Sequence, residues 1–490
     1  MNFKKIIQYA IILIFPVLTF IIPAPAGLPV IGWYLIGIYI AAILGIIFKP
    51  FPTPVVLLTA VAVSAIVIGN TAEQIMPDGT KVLLKQTDVL SGYKSGTTWL
   101  VFAAFMLSTA FVITGLGRRI AYKMIGAFGS TSLRLGYVNA FLDFIISPAM
   151  PSVTARGAGI MLPIMNSISL SLGSEPTSKE SAKKIGSYLM VNTYMVVKTT
   201  GYITFTAMAT NAIALKLLQP ILNLQLSWMQ WFLATCVPGL VCLFLVPLIT
   251  YFLNKPTLKA IDNKKIARDG LEEMGPMSYA EKALLVIFIL AVLAWMLSSY
   301  LHLKSSIIAV AIMPLLVLCK IVTWDDLLAK KSAWNTFIWY GGLLGLASVL
   351  DKANFFHWLA SVMESMIHSD ANHATLITIV ILFLSVVVRY LYASGGAYVA
   401  SMLPVFAAVG VAAGANPFTL GMGLLCTSCF GGALTHYGSG PAAPIFGTGY
   451  NSIKSWWLTG GIMALVSLIV LATIGFGWWN FILHMGWIQA

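Results

Sequence analysis

Long apolar runs separated by short polar loops extend along the whole chain. A membrane-spanning helix needs about 20 consecutive, mostly apolar residues, and many of these runs approach that length. They lie near residues 6–23, 28–48, 53–69, 99–117, 187–217, 228–253, 281–300, 305–321, 337–350, 374–392, 397–413 and 457–482. Other apolar stretches are short or interrupted by glycine and proline. The pattern predicts an all-α polytopic protein that crosses the cell membrane several times.

The most polar segment, residues 254–280, divides the chain into two parts of similar length. We therefore predict a first half over residues 1–253, a charged linker, and a second half over residues 281–490. Basic residues collect at the N-terminus, in the linker, and around Arg118 and Arg119. Loops rich in Lys and Arg tend to lie on the cytoplasmic side of a membrane, so these loops are the candidates for that side.

The two halves carry similar segments in the same order. The matching pairs are residues 97–104 with 335–342, residues 152–163 with 394–404, and Thr210-Asn211 with Thr435-His436. Matched, interrupted apolar segments are the best sequence indication of an internal repeat and of a transporter's binding site. We therefore predict an inverted repeat whose binding site is built from both halves.

Two prolines interrupt an apolar stretch of the first half. Pro148 and Pro151 cannot both lie inside a regular helix, and non-helical backbone at membrane depth must be buried in protein or line a cavity. A re-entrant helical hairpin with its tip at Ser152–Thr154 satisfies both conditions. A helix that begins there directs free N–H groups and its positive dipole end toward the tip, which attracts carboxylates. The alternative is that the tip hydroxyls only cap a kinked helix.

Glycine-rich segments mark further interruptions. Residues 392–396 form a second candidate tip, where Gly395 and Gly396 allow a ligand to approach the backbone. Residues 431–441 contain too many glycines to remain helical, and residues 206–211 are their counterpart in the first half. If these segments face each other, they form a pocket of hydroxyls and backbone amides drawn from both halves. Glycine-mediated packing of helices is the alternative.

Composition agrees with burial in a membrane and changes the meaning of the net charge. Hydrophobic residues make up 59% of the chain and charged residues 9%, whereas soluble domains contain roughly 25% charged residues. Soluble enzymes, disordered chains and nucleic-acid readers are thereby excluded. The formal net charge of +13 resides mostly in loops, where it suits an anionic membrane leaflet. Neither a metal site nor a cofactor is predicted.

Charged residues within apolar segments are costly and usually functional. Arg156 follows the first tip and His436 lies in the last irregular segment, so we predict that both compensate the charge of a bound substrate. Asp143 and Arg389 precede the two tips at similar places, and a structural ion pair is the alternative to function there. Lys198 has the simpler explanation of reaching a membrane interface. Because the predicted pocket contains almost no carboxylate, the substrate is expected to be an anion.

At these residues the chain resembles the divalent-anion/sodium symporter family, the INDY-type carboxylate transporters, over nearly its whole length. The half-repeats, the hairpins, the Ser-Asn-Thr-like tips and the later Thr-containing Gly/Pro-rich segment carry the resemblance. It implies a homodimer in the lipid bilayer, with a fixed scaffold domain and a transport domain that moves by an elevator mechanism. It also implies di- and tricarboxylate substrates.

The resemblance assigns substrate contacts to the two tips and to the later segment. The corresponding positions are Ser152, Val153 and Thr154 in the first tip, Ser394, Gly395 and Gly396 in the second, and Thr435 in the later segment. Thr210 and Asn211, the first-half counterparts of Thr435 and His436, are an additional candidate part of the pocket. Val153 stands where the family usually has Asn, and Gly395-Gly396 stand where it has Asn-Thr. These departures remove side-chain groups, so the backbone must provide more of the contacts.

Arg156 and His436 fit the sodium-independent exchanger branch of this family, where positive side chains stand beside the tips. A permanent guanidinium offsets the repulsion between two carboxylates without leaving with the substrate. A fixed positive charge also makes the empty transport domain costly to move, whereas a bound dicarboxylate neutralises it. We therefore predict obligatory exchange of one dicarboxylate for a counter-substrate, of the succinate, malate, fumarate or 2-oxoglutarate type.

Three other functions are alternatives to exchange. The nearest is a Na⁺-coupled dicarboxylate symporter of the same fold, against which Arg156 and His436 argue. An anion channel would conduct without a counter-substrate. A membrane-embedded enzyme would need a base beside Ser152 or Ser394, and neither a Ser-His-Asp nor an H-E-x-x-H arrangement is visible in the sequence. We therefore predict that the chain is not an enzyme.

Overall fold

The computed structural model describes residues 3–69, 71–75, 81–366 and 374–488, and most of them are helical. The helices of the first half are α1 (Phe3–Ile21), α2 (Val30–Phe48), α3 (Thr53–Ile68), α4 (Ser91–Lys94), α5 (Gly96–Thr114), α6 (Leu116–Phe128), α7 (Ser132–Ile146), α8 (Val153–Arg156), α9 (Leu162–Ser171), α10 (Lys179–Lys184), α11 (Gly186–Ile203), α12 (Ala209–Leu222) and α13 (Trp228–Leu253). The linker and the second half contain α14 (Asn263–Met274), α15 (Tyr279–Met296), α16 (Ser305–Leu318), α17 (Trp324–Leu328), α18 (Lys331–Lys352), α19 (Phe355–Met366), α20 (Ala374–Val388), α21 (Gly395–Ala412), α22 (Pro417–Phe430), α23 (Ala442–Phe446), α24 (Ile453–Val470) and α25 (Phe476–His484).

Length and apolar composition identify the helices that can cross a membrane. Among the described residues, seven helical segments have both properties, namely Val30–Phe48, Gly96–Thr114, Trp228–Leu253, Tyr279–Met296, Ala374–Leu391, Gly395–Ala412 and Ile453–His484. The predicted helical, polytopic membrane protein is therefore confirmed. One departure from an all-α chain is an antiparallel hairpin in the polar loop after α3, where β1 (Thr71–Ile75) pairs with β2 (Lys81–Lys85).

Polar caps and glycines fix where several of these helices begin and end. At the start of α5, Ser95 Oγ accepts a hydrogen bond from the Thr97 N–H at 3.3 Å. The same helix ends at Gly115, which has a left-handed φ of 73°. At the start of α15, the side chains of Ser278 and Glu281 each accept from the other's backbone N–H. These are the groups that otherwise unpaired backbone atoms at helix ends require.

The charged linker packs against the basic stretch of the first half. Helix α14 lies along α6, and Arg118 forms an ion pair with Glu273 at 2.8 Å. Arg119 is buried; its Nε donates to Glu281 Oε1 at 2.5 Å and its Nη1 to the Gly275 carbonyl at 2.9 Å. Two of the basic segments predicted for one side of the membrane therefore lie together.

Four interruptions separate helices of the core. They are residues 147–152 between α7 and α8, 204–208 between α11 and α12, 389–394 between α20 and α21, and 431–441 between α22 and α23. We call them breaks 1 to 4 in chain order. Helices α11 and α22, which lead into breaks 2 and 4, are buried along almost their whole length and pack against each other. The helix–break–helix order agrees with the predicted hairpins, whose re-entrant course stays a prediction.

Candidate anion site at the helix breaks

Each tip lies beside a break of the other half: the first tip lies beside break 4, and the second tip lies beside the end of break 2. A Cβ atom placed on Gly440 in break 4 would be 2.1 Å from the Oγ1 of Thr154 at the first tip. A Cβ atom placed on Gly395 at the second tip would be 4.0 Å from the Cγ2 of Thr210, which follows break 2. The structure thus brings together residues that are far apart in the sequence, and it does so across the two halves.

The first tip is a capped helix start that is tied to break 2. Ser152 Oγ accepts from the Ala155 N–H at 3.1 Å, as expected for an N-cap. The carbonyl of Pro151 accepts from the backbone N–H of Ala209, the first residue of α12, at 2.9 Å. Val153 is partly buried and Thr154 is exposed. The N-terminal end of α8 and its dipole are therefore directed at this tip.

The second tip has the same kind of cap, and its two glycines let a neighbouring side chain approach the backbone closely. Ser394 Oγ accepts from the Ala397 N–H at 3.3 Å, and Gly395 and Gly396 form the first turn of α21. A Cβ atom on Gly396 would be 3.2 Å from the indole ring of Trp339. Glycine therefore permits close packing here, and the amide groups of the turn stay uncovered by side chains of their own residues.

Arg156 is fully buried and its charge is balanced inside the protein. Its Nε donates to Asp143 Oδ1 at 3.0 Å, and its Nη2 donates to Thr200 Oγ1 at 3.3 Å. Its Nη1 donates to the carbonyls of Met150 in break 1, at 2.6 Å, and Ala207 in break 2, at 2.5 Å. The guanidinium therefore holds the two breaks of the first half together.

This pairing bears on two expectations from the sequence. The alternative ion pair between Asp143 and Arg389 is wrong, because Asp143 pairs with Arg156. The assignment of Arg156 as a charge that faces the substrate stays a prediction. The geometry favours a structural role for it, since its strongest partner is a buried carboxylate.

Arg389 is buried without a carboxylate partner among the described residues. Its Nη1 donates to the Tyr392 carbonyl in break 3 and its Nη2 to the Gly438 carbonyl in break 4, both at 2.8 Å. Its guanidinium lies 5.2 Å from the centre of the Tyr398 ring, which gives a cation–π contact. Its Nε has no hydrogen-bond partner in the described part of the chain. The breaks of the second half are thus joined by a cation that no acid among those residues balances.

Lys198 is a second buried cation of this kind. It lies on α11 and is 2% exposed, so the expectation that it reaches a membrane interface is wrong. A Cβ atom on Gly432 in break 4 would be 3.0 Å from its Nζ, and one on the neighbouring Gly431 would be 3.3 Å from Arg389 Cγ. Within the described part of the chain, Lys198 forms no ion pair. Two uncompensated positive charges therefore flank the start of break 4.

Unpaired polar atoms mark the place where break 2 approaches the second tip. Thr210 Oγ1 and Asn211 Oδ1 are buried and, among the described residues, have no hydrogen-bond partner. Asn211 Nδ2 donates to the Gly201 carbonyl at 2.8 Å, which fixes the orientation of the amide. Thr435 is also buried, at 1% exposure. Buried polar groups normally have partners, so these atoms, with Arg389 Nε, make this place a candidate site for a polar ligand.

His436 is held as a hydrogen-bond acceptor. The Trp457 Nε1–H donates to His436 Nδ1 at 3.0 Å, and an indole nitrogen can only donate. The Nδ1 atom must therefore carry a lone pair, which leaves the proton of the neutral imidazole on Nε2. The centre of the Phe446 ring lies 4.9 Å from that of the imidazole. His436 therefore accepts at Nδ1 and offers an Nε2–H as a donor, and the predicted charge compensation by His436 stays a prediction.

A wide cavity with polar and apolar lining residues extends from the start of α5 to break 2. It has a volume of about 630 Å³ and includes Lys216 and Lys304 in its lining. A much smaller cavity of about 10 Å³ continues it as far as Pro151, and the two share Leu100, Phe205 and Ala212 in their linings. Phe205, which belongs to break 2, therefore lies where the wide cavity narrows toward Pro151 in break 1.

The sequence analysis named Arg389 and Lys198 but not their burial without an acidic partner among the described residues. The sequence does contain an indication of this, since both residues stand in apolar segments without an adjacent acid. The sequence does not indicate that Asp143 pairs with Arg156, on the other side of break 1. Among residues 3–69, 71–75, 81–366 and 374–488, no group of three or more His, Cys, Asp or Glu side chains is arranged to hold a metal ion.

A family model and several individual relatives match this chain over nearly its whole length. The family model described as "Sodium:sulfate symporter transmembrane region" matches residues 3–485. The chain is 50% identical to the "Inner membrane protein YbhI" of Escherichia coli K12, over 99% of both chains. It is 36% identical to the "Putative malate transporter YflS" of Bacillus subtilis, over 97% of this chain and 96% of the relative. It is 32% identical to the "L-tartrate/succinate antiporter" of Shigella flexneri, over 94% of both.

The fold has a relative among solved structures. The Alcanivorax borkumensis YdaH transporter matches 87% of this chain and 97% of its own, with a TM-score of 0.57 and 11% identity. At that identity the likeness concerns the fold alone. It agrees with a helical membrane architecture that is known in transporters.

Proposed function

We propose, from the premise that this chain belongs to the sodium:sulfate symporter family, that it exchanges dicarboxylates across the inner membrane. The predicted divalent-anion/sodium symporter family is confirmed by the match over residues 3–485. The predictions that the chain is a transporter rather than an enzyme, and a multi-pass protein of the inner membrane, are also confirmed.

The two buried cations without an acid, Lys198 and Arg389, carry the proposal. Charge buried without a partner is costly, and within a membrane protein it usually marks a substrate path. Arg156 and Asp143 cancel each other, so this part of the core holds two uncompensated positive charges. A dicarboxylate supplies two negative charges, and the tips supply backbone N–H groups and hydroxyls that can donate to its oxygens.

The relatives favour the same chemical class. The names of two of them refer to malate and to tartrate and succinate, which are short dicarboxylates. Because these relatives cover 94% or more of this chain, the likeness includes both tips and all four breaks. The order of preference among succinate, malate, fumarate, 2-oxoglutarate and larger carboxylates depends on the shape of the pocket.

Exchange follows from the fixed charges. Without substrate, the binding region would carry its positive charges through the membrane uncompensated, at a cost of about 2.5–3.5 kcal/mol for each. With a dicarboxylate bound, the net charge is near zero and movement is cheaper. We propose that the tips and breaks form a transport domain of re-entrant hairpins that moves by an elevator mechanism against a scaffold, within a homodimer.

Proteoliposomes test exchange directly. Purified protein is reconstituted into vesicles that contain either unlabelled succinate or buffer alone, and uptake of labelled succinate is measured with Na⁺ or choline outside. We expect uptake only into succinate-loaded vesicles, at the same rate with either cation. Rapid uptake into buffer-loaded vesicles that requires Na⁺ would contradict exchange.

Sodium-coupled symport is the second candidate function, and one observation favours it. The unpaired oxygens of Thr210 and Asn211 are hard ligands of the kind that a Na⁺ ion prefers. If they bind Na⁺, the substitution Asn211→Leu removes Na⁺ dependence in the same vesicles. If they bind substrate, it weakens succinate exchange equally in Na⁺ and in choline.

A further inference from the structure

A basic cavity lies apart from the breaks, where the loop after α9 meets the end of α13 and the start of α24. Its volume is about 680 Å³. Three lysines, Lys179, Lys183 and Lys255, contribute to its lining, whereas no Asp or Glu does. Three like charges around one cavity repel each other, and a bound anion relieves that repulsion. None of the residues in its lining belongs to a tip or a break.

Fixed polar groups complete the lining. Helix α24 begins at this cavity, and Ser452 Oγ caps it by accepting from the Ser455 N–H at 3.2 Å. Asn451 is 8% exposed, and its Nδ2 donates to the Ser187 carbonyl at 3.0 Å and to Ser187 Oγ at 2.8 Å. These bonds fix which way the amide faces. Its Oδ1 is left buried and, within the described part of the chain, without a partner.

The unpaired oxygen adds a requirement to the positive charge. Lysines and a helix N-terminus bind an anion, but Asn451 Oδ1 can only accept a hydrogen bond. The matching ligand therefore carries both a negative group and a hydroxyl donor. A phosphate ester of a polyol has both features within a few ångströms, whereas a simple inorganic anion that is fully ionised has no donor.

Apolar side chains beside the cavity indicate where such a ligand comes from. Phe252 and Leu253 end α13 with 67% and 37% exposure, and Ile453 starts α24 with 52% exposure. Both helices are apolar enough to span the membrane, so the cavity lies where spanning helices end. Basic pockets between spanning helices at that level are typical binding sites for anionic lipid headgroups.

We propose that this cavity binds a hydroxyl-bearing phosphate ester, with its phosphate among Lys179, Lys183 and Lys255 and its hydroxyl on Asn451 Oδ1. A membrane lipid of the phosphatidylglycerol type supplies this chemistry with acyl chains beside Phe252 and Ile453. A soluble polyol phosphate supplies it without them. Either ligand adds contacts between the loop after α9 and the start of α24, two segments that Tyr450 already joins by donating from its hydroxyl to the Ser174 carbonyl at 2.8 Å.

The experiment compares two variants that remove equal charge. The pocket variant is Lys179→Gln/Lys183→Gln/Lys255→Gln, and the control is Lys264→Gln/Lys265→Gln/Arg268→Gln in the linker helix α14, outside the cavity lining. Each full-length protein is placed in phosphatidylcholine nanodiscs with or without phosphatidylglycerol. Retained phosphatidylglycerol is counted by native mass spectrometry, and the unfolding temperature is recorded. Glycerol 3-phosphate is titrated into the discs that lack phosphatidylglycerol.

We expect a loss of affinity of about fivefold for each pocket lysine removed, with the control close to wild type. If only phosphatidylglycerol raises the unfolding temperature of the wild type, the ligand is the lipid. If glycerol 3-phosphate raises it equally, the ligand is a soluble ester. If the pocket variant does not fold, the single change Lys255→Glu is measured in its place. Equal losses in the pocket and control variants would overturn the proposal, because they would reflect surface charge alone. If the wild-type protein binds neither phosphatidylglycerol nor glycerol 3-phosphate, the proposal is also overturned.

Discussion

Lys198 and Arg156 are both buried cations, but the structure gives them opposite relations to stability. Lys198 has no acidic partner in the described structure, so in the empty protein its charge is an unbalanced cost. Lys198→Met keeps the length of the side chain and removes the charge. We expect this variant to be more stable than wild type by about 1–3 kcal/mol without substrate, and to lose the stabilisation that succinate gives.

Thermal unfolding with and without succinate measures both effects of Lys198→Met. A matched control is Lys216→Met, which removes a charge from the wide cavity rather than from the breaks. It should leave the stability and the succinate shift near those of wild type. A fall in the stability of empty Lys198→Met would show that the ammonium group has a partner within the protein.

Arg156 should behave in the opposite way. Arg156→Met leaves the buried Asp143 carboxylate with the Thr200 hydroxyl as a donor but without its cation, so we expect a loss of about 3–5 kcal/mol in unfolding free energy. The double variant Arg156→Met/Asp143→Leu removes both charges and should recover part of that loss. Unfolding temperatures of the wild type, Arg156→Met, Asp143→Leu and the double variant measure the coupling between the two charges. If Arg156→Met keeps its stability but no longer binds succinate, the guanidinium faces the substrate, as the sequence predicts.

At the scale of elements, the contact between a tip and the opposite break should control transport. A methyl group on Gly440 would overlap Thr154 Oγ1, so Gly440→Ala must turn the Thr154 side chain or move the first tip or break 4. We expect exchange to slow by about tenfold or more, because shifts of about 1 Å disrupt a preorganised site. The control is Gly461→Ala on α24, where a methyl group meets no atom within 4 Å. Exchange at wild-type rate in folded Gly440→Ala would mean that the two elements need not touch.

The positions of these elements were largely predictable, because they depend on local chemistry. Pro148 and Pro151 forced break 1, glycines forced break 4, and serines at both tips cap the helices that follow. The hairpin of β1 and β2 was missed, since its ten residues carry no long alternating pattern. The partner of Asp143 could not be derived either, because that pairing depends on how the chain returns after break 1. Hydrophobic periodicity and turn residues predict structure among residues that are close in sequence. Charge balance depends on which residues meet in the folded core, so it could not be predicted in the same way.

At the scale of the whole molecule, the proposed exchange mechanism rests on charge balance in the core. In that mechanism, Lys198 and Arg389, which have no acidic partner among the described residues, hinder the empty protein from changing sides, and a bound dicarboxylate removes the hindrance. Each fixed charge contributes about 2.5–3.5 kcal/mol to that barrier. Removing one charge should therefore accelerate the return of the empty protein by roughly 100-fold, even while it weakens substrate binding.

Lys198→Met therefore should partly uncouple exchange. Its uptake into succinate-loaded vesicles should fall, because one counter-charge for the substrate is missing. Its net uptake into buffer-loaded vesicles should rise, because the empty protein now returns alone. The ratio of these two rates, measured in the same preparation with labelled succinate, separates uncoupling from loss of protein, since inactive protein lowers both rates equally. Lys216→Met should keep the wild-type ratio. An unchanged ratio in Lys198→Met would show that some other feature, such as a steric block at the tips, enforces exchange, and the electrostatic account of coupling would have to be given up.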